Sequence, residues 1–215
     1  MNLLFINPNS SEAITKAIEQ EANCYQGAGW TIDVKRCEKS PSAIAMPYDD
    51  LAAGINVIEL LQAESNYDAA VIGCFGDPGL AAARSMISKP VVGLFESCLY
   101  FAKLNGIRYS IVTTGDWGEI SPWHSMLRAY GETDNLSSVH CLNASVESAL
   151  DEPDEKILKE IESARKDHGA DAVILACSAF AGRAKKLGKI AKIPVIDGIK
   201  ESIYLAKMLS EYCGR

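Results

Sequence analysis

The chain has 215 residues, of which 48% are hydrophobic and 23% charged, and its formal net charge is −7. That is enough apolar sequence to bury a core in one large domain or two small lobes, and the acidic balance works against nucleic acid or an anionic membrane as the main partner. No apolar run is long enough to cross a bilayer. The opening MNLLFINPNSSE lacks the basic region of a secretory leader, so a cytoplasmic protein is expected.

Short β-branched runs alternate with longer amphipathic stretches, the pattern of an α/β fold with mainly parallel sheets. In chain order, strands are predicted over 2–7, 31–36, 69–74, 91–95, 109–114, 138–142, 172–177 and 195–197. Helices are predicted over 11–22, 50–65, 79–86, 96–103, 118–129, 152–167, 181–189 and 200–212. Ser10-Ser11-Glu12 and Asp151-Glu152-Pro153-Asp154 are helix-start signals, and Pro78 fits the first position of the helix at 79. The basic clusters 183–186 and 189–192 read as solvated helix faces.

The chain also repeats itself. YDAAVIGC ends in Cys74 and GADAVILAC ends in Cys177, each after a helix and before a small-residue turn. Each is followed by a proline that opens the next strand, Pro90 and Pro194. The cysteines lie 103 positions apart and the prolines 104. Two pseudo-symmetric lobes follow, residues 1–96 and 97–198, with 199–215 returning to the first. In parallel sheets ligands bind beyond the carboxyl ends of strands. Both cysteines are predicted there, with the Asn7-Pro8-Asn9-Ser10 and Thr113-Thr114-Gly115-Asp116 loops, so an active-site cleft between the lobes is expected.

The seven cysteines (24, 37, 74, 98, 141, 177 and 213) form no CxxC, and the three histidines are scattered, so no zinc spacing is present. A free cysteine is usually a small buried filler, and five of the seven keep that reading. Cys74 and Cys177 differ because they occupy equivalent positions in a duplicated unit. Racemising a carbon means removing its proton from one face and returning one to the other. Two opposed thiols can do this, one ionised and one protonated in each direction, if nearby N–H dipoles bring their pKa values toward working pH.

The whole chain resembles the aspartate/glutamate/hydantoin racemase superfamily, closest to its hydantoin and allantoin racemase branch. The resemblance rests on Ile6-Asn7-Pro8-Asn9-Ser10, on Cys74-Phe75-Gly76-Asp77-Pro78-Gly79, and on Pro194–Gly198 followed by a helix. It implies two α/β lobes, no cofactor, paired cysteines as acid and base, and a homo-oligomer. Acidic amino-acid racemases of the superfamily place Asn-Thr after the first cysteine and Thr after the second. Here Phe75-Gly76 and Ser178-Ala179 stand instead, which suits a neutral cyclic amide better than a free carboxylate. The second site departs from the usual Gly-Cys-x-Gly-Met, reading Ala176-Cys177-Ser178-Ala179-Phe180.

The expected site is therefore catalytic Cys74 and Cys177, with substrate contacts from Asn9, Ser10, Phe75, Gly76, Thr114, Ser178, Ala179 and Phe180, and no metal. Asn9 fits a donor to a substrate carbonyl and a turn asparagine equally well. Ser10 reads first as a helix cap, with its N–H also open to a ligand. Asp77 reads as a turn residue, since a carboxylate beside Cys74 would raise the thiol pKa. Glu96 and Ser97 are open to the cleft or a hinge; Trp117, Trp123 and His124 read first as packing. The leading activity is cofactor-independent racemisation of a 5-substituted hydantoin or allantoin. The alternatives are an acidic amino-acid racemase, a related isomerase or decarboxylase, and a two-lobed binding protein without catalysis.

Overall fold

The structure, a computed structural model, describes residues 1–27, 29–105, 108–115 and 120–213. Its contacts divide the chain into two units, Met1–Ser97 with Ile199–Arg215, and Cys98–Gly198.

In the first unit, strands β1 (Asn2–Asn7), β2 (Thr31–Arg36), β3 (Ala69–Ile72) and β4 (Val91–Gly93) form one parallel sheet in the order β2-β1-β3-β4. The inner strands β1 and β3 are almost wholly apolar because helices cover both faces of a parallel sheet. Leu4, Ile6, Ala70 and Ile72 belong to a core shared with Val57 and Leu61 of α2 (Pro47–Ala63) and Leu80 and Ala83 of α3 (Leu80–Met86). The alternation along each strand sends Leu3, Phe5, Ala69 and Val71 to the other face. There α1 (Glu12–Asn23) and the last helix, α8 (Ile199–Cys213), pack on the sheet and on each other. Edge strand β2 alternates and carries Lys35 and Arg36, charges that discourage further pairing.

The second unit repeats the plan. Strands β5 (Tyr109–Thr113), β6 (Leu136–Cys141), β7 (Ala172–Leu175) and β8 (Val195–Ile196) are parallel, in the order β6-β5-β7-β8. The boundary at Ser97 falls inside α4 (Leu94–Asn105). Helices α5 (Ile120–Tyr130), α6 (Asp154–Lys166) and α7 (Ala184–Ala191) complete the unit, with short 3-10 turns at Ser148–Asp151 and Ser178–Phe180. In each unit the strand order reverses between the two inner strands, so chain segments leave β1 and β3, or β5 and β7, in opposite directions. The carboxyl ends of those pairs are the open crevices of the fold.

The element boundaries differ from expectation where tertiary contacts intervene. Strand β4 stops at Gly93 and α4 starts at once, so Phe95 and Glu96 lie in its first turn. Helix α2 begins at Pro47 rather than 50, its start secured by Asp49 accepting the N–H groups of Ala45 (3.2 Å) and Met46 (3.0 Å). Pro78 is not the first residue of α3; Gly79 precedes that helix with φ +75°. A β-carbon on Gly79 would lie 2.8 Å from the carbonyl oxygen of Gly54 in α2, so two glycines let α2 meet this corner.

Candidate active site

The two cysteines occupy matching places in their units. Each lies two residues beyond the end of its strand, Cys74 after Ile72 and Cys177 after Leu175. The register carries on past the strand ends. Gly73 donates to the carbonyl of Ile6 (2.7 Å) and Ala176 to that of Val112 (2.8 Å), holding each turn beside the central strand. Both residues are thiols; Cys74 is half-buried and Cys177 buried. Neither turn opens an α-helix directly. Cys177 precedes the 3-10 turn Ser178–Phe180, whereas five residues separate Cys74 from Leu80, where α3 begins.

In the first unit the Asn7–Ser11 loop is tied by its own amides. Asn9 Oδ1 accepts from Asn7 Nδ2 (2.9 Å) and from the Ser11 N–H (2.9 Å), and Asn7 Nδ2 also reaches Thr15 Oγ1 (2.9 Å). With its oxygen committed to the loop, what buried Asn9 can present to a ligand is its NH2. The cap of α1 is Ser11, whose hydroxyl accepts from the Ile14 N–H (3.3 Å). Ser10 is not the cap, and its N–H is spent on the carbonyl of Pro41 (3.0 Å). The ring of Phe75 is buried edge-on against Phe95, with centroids 6.2 Å apart, and Gly76 follows in the turn.

The turn after Cys74 is anchored by Asp77, a role that its neighbours in sequence do not disclose. Asp77 is buried with φ +46°, and its N–H donates to the carbonyl of Cys74 (3.0 Å). Its two carboxylate oxygens accept the N–H groups of Phe95 and Glu96, each at 3.0 Å, at the positive end of α4. Glu96 in turn accepts from the Gly93 N–H (3.1 Å) and pairs with Arg84, while Ser97 donates to the carbonyl of Gly93 (2.6 Å). Glu96 and Ser97 therefore fasten the start of α4.

In the second unit the Thr114 hydroxyl and the Ala179 N–H both hydrogen-bond Cys177. Burial pushes this thiol up to about 11, and those two donors offset only part of the effect. Thr113 braces the crevice by donating to the carbonyl of Ala176 (3.1 Å). Ser178 and Ala179 are buried beside the cysteine, and Phe180 is fully buried. Asp197 accepts the N–H of Gly182 (2.9 Å), tying the loop after Phe180 to the end of β8. The structure thus brings Thr114, Cys177, Ser178 and Ala179 together. Asp116 and Trp117 lie outside the described residues.

A second polar cluster lies away from this crevice. Ser110 and Ser138 share a hydrogen bond (2.7 Å), Ser138 meets His140 Nε2 (2.8 Å), and His140 Nδ1 meets Glu160 (3.0 Å). Its members line or back a cavity of about 400 Å³ that also includes His124 and His168. Among the described residues, no group of His, Cys, Asp or Glu is arranged to hold a metal ion. Nor is any helix long and apolar enough to cross a membrane.

The family model for Asp/Glu/hydantoin racemases matches residues 3–206, nearly the whole chain. The chain belongs to the Asp/Glu/hydantoin racemase family. It is accordingly an isomerase of the racemase type. It is 31% identical to the hydantoin racemase of Paenarthrobacter aurescens over 97% of this chain and 91% of that protein. A hydantoin racemase of Pseudomonas sp. (strain NS671) is also 31% identical, over 97% of this chain and 86% of that protein. Among solved structures, the allantoin racemase from Klebsiella pneumoniae superposes with a TM-score of 0.93 at 29% identity, covering 99% of this chain and 89% of that one. The two-unit parallel architecture of this racemase is thus that of the family.

Proposed function

We propose that this racemase inverts the carbon α to a carbonyl in a neutral cyclic amide, a 5-substituted hydantoin or allantoin, by two-base proton transfer between Cys74 and Cys177. The observation that carries the reading is the matching position of the two thiols, each two residues past the second strand of a crevice. Cys177 is held protonated by its burial and enters the cycle as the acid. Cys74, once ionised, takes the α-proton; the electron pair of the C–H bond moves into the ring carbonyl; Cys177 then returns a proton to the opposite face. After one turnover the roles are exchanged, and the reverse direction runs from there.

The developing enolate oxygen needs donors already in place. The NH2 of Asn9 and the backbone N–H of Ser178 are the donors in this reading, Thr114 and Ala179 act through the Cys177 thiol that they hydrogen-bond, and Ser10, Phe75, Gly76 and Phe180 complete the substrate surroundings. Ring delocalisation lowers the barrier that these groups must overcome, so no cofactor is required. The names of the relatives support a hydantoin or allantoin over a free amino acid. An acidic amino-acid racemase, or an isomerase or decarboxylase of the same fold, is the second reading, favoured only by the departure at Ala179-Phe180. The active form is a cytoplasmic homo-oligomer in this reading, with a small molecule as its only other partner.

The test is to incubate enantiopure hydantoins, allantoin, aspartate and glutamate with the protein in D₂O, following optical rotation and deuterium entry by NMR. Racemisation of a cyclic amide with deuterium at the α-carbon is expected. No change with any cyclic amide would sink the substrate assignment. Cys74→Ser and Cys177→Ser are each expected to abolish racemisation, while retained one-sided proton exchange would identify which face each thiol serves. Full racemisation by either variant would refute the two-base mechanism.

A further inference from the structure

Helix α2 carries two adjacent carboxylates with different surroundings. Asp49 accepts the two N–H groups that precede the helix. Asp50 Oδ1 is buried and, among the described residues, has no hydrogen-bond partner. Burial raises its pKa, and no charged neighbour contributes. A desolvated carboxylate oxygen without a donor costs stability, so an unsatisfied one in a native fold calls for an explanation.

Its position ties it to the Cys74 turn. A β-carbon on Gly76 would lie 2.2 Å from Asp50 Oδ1 and 3.3 Å from its Cγ. Asp50 therefore lies directly against the turn that follows Cys74, in space left open by the missing side chain at 76. Any residue other than glycine there would have to displace the carboxylate.

We propose that Asp50 is a specificity-determining residue that accepts an N–H of the cyclic amide held at Cys74. A hydantoin ring or a ureido substituent brings N–H donors to a carboxylate, whereas a free amino acid brings a carboxylate of like charge. Asp50 thus favours neutral N–H-bearing substrates and disfavours anionic ones within the same site. The inference rests on the cyclic-amide reading given above.

The experiment compares the wild-type protein with Asp50→Asn and Asp50→Leu, using a 5-substituted hydantoin and its ring N-methylated analogues. A hydrogen bond to a charged group corresponds to roughly ten- to hundredfold in affinity. KM for the unmethylated ring is expected to rise about that much in Asp50→Leu and less in Asp50→Asn, which keeps one acceptor oxygen. In both, kcat should change far less than KM. The N-methylated analogue that loses the recognised N–H should be a poor substrate for the wild type, with that penalty shrinking in the variants. Asp50→Asn should also melt no lower than the wild type at neutral pH, because it removes a buried unpaired charge. A merely structural Asp50 would instead give a lower melting temperature with KM and the methylation penalty unchanged, and that result overturns the proposal. If the wild type racemises no cyclic amide at all, the function reading itself fails and takes this inference with it.

Discussion

Cys177 shows burial and hydrogen bonding acting in opposite directions on one thiol. The Thr114 hydroxyl and the Ala179 N–H favour the thiolate, yet burial outweighs them and the group is pushed up to about 11. Cys74 is more exposed. Iodoacetamide at neutral pH is therefore expected to alkylate Cys74 well before Cys177, with Cys177 labelling rising steeply as the pH approaches 11. Peptide mass spectrometry reads both sites, and equal labelling at neutral pH would contradict the assignment of Cys177 as the resting acid. Cys37 is likewise raised by burial to about 11. A thiol whose pKa is raised on folding adds stability that is intact below the unfolded value of about 8.5 and is lost as the pH rises through the folded value. Urea midpoints should accordingly fall between pH 8 and pH 11, and less so in a Cys37→Ala/Cys177→Ala variant.

Strand ends and helix starts place the chemistry. The turn after Cys74 keeps its shape because Asp77 reaches across to the N-terminus of α4, 18 and 19 residues later. Gly93 makes room for it, since a β-carbon there would lie 2.4 Å from the Asp77 carboxyl carbon. Gly93→Ala is expected to expel the carboxylate and cost about 1–3 kcal/mol in urea unfolding, with activity falling as the Cys74 turn loosens. By contrast, Ser11→Ala removes only the cap of α1 and should cost about 1 kcal/mol with little effect on activity. A Gly93→Ala protein as stable and active as the wild type would show that Asp77 does not hold this turn.

At the scale of the chain, the last helix closes the first unit from the far end of the sequence. Ile199, Ile203 and Ala206 are fully buried, and α8 packs against β1, β3, β4 and α1. Ending the chain after Gly198 would leave one face of the first sheet open to water, so Met1–Gly198 is expected to lose cooperative unfolding and to aggregate, as seen by circular dichroism and light scattering. A truncated chain that melts like the full protein would show that α8 is dispensable.

Much of this was readable from the sequence, because it depends on local pattern. Continuous apolar runs such as AAVI and AVIL announce strands of a parallel sheet, and the periodic Ile14, Ile18 and Ala22 announce a helix with one buried face. The two flanked cysteines marked equivalent strand ends, and CFGDPG carried the family. Tertiary structure decided the rest, because it depends on partners distant in the chain. Ser11 rather than Ser10 caps α1, and Pro41, 31 positions away, takes the Ser10 N–H. Asp77 passed for a turn residue until α4 came to meet it. Asp50 is one more acidic residue at a helix start until Gly76 folds against it. The protonation of Cys177 likewise belongs to no motif. Which residues are chemically able to act is a property of the chain, but their solvation and their hydrogen-bond partners exist only once the sheets and helices have packed around them.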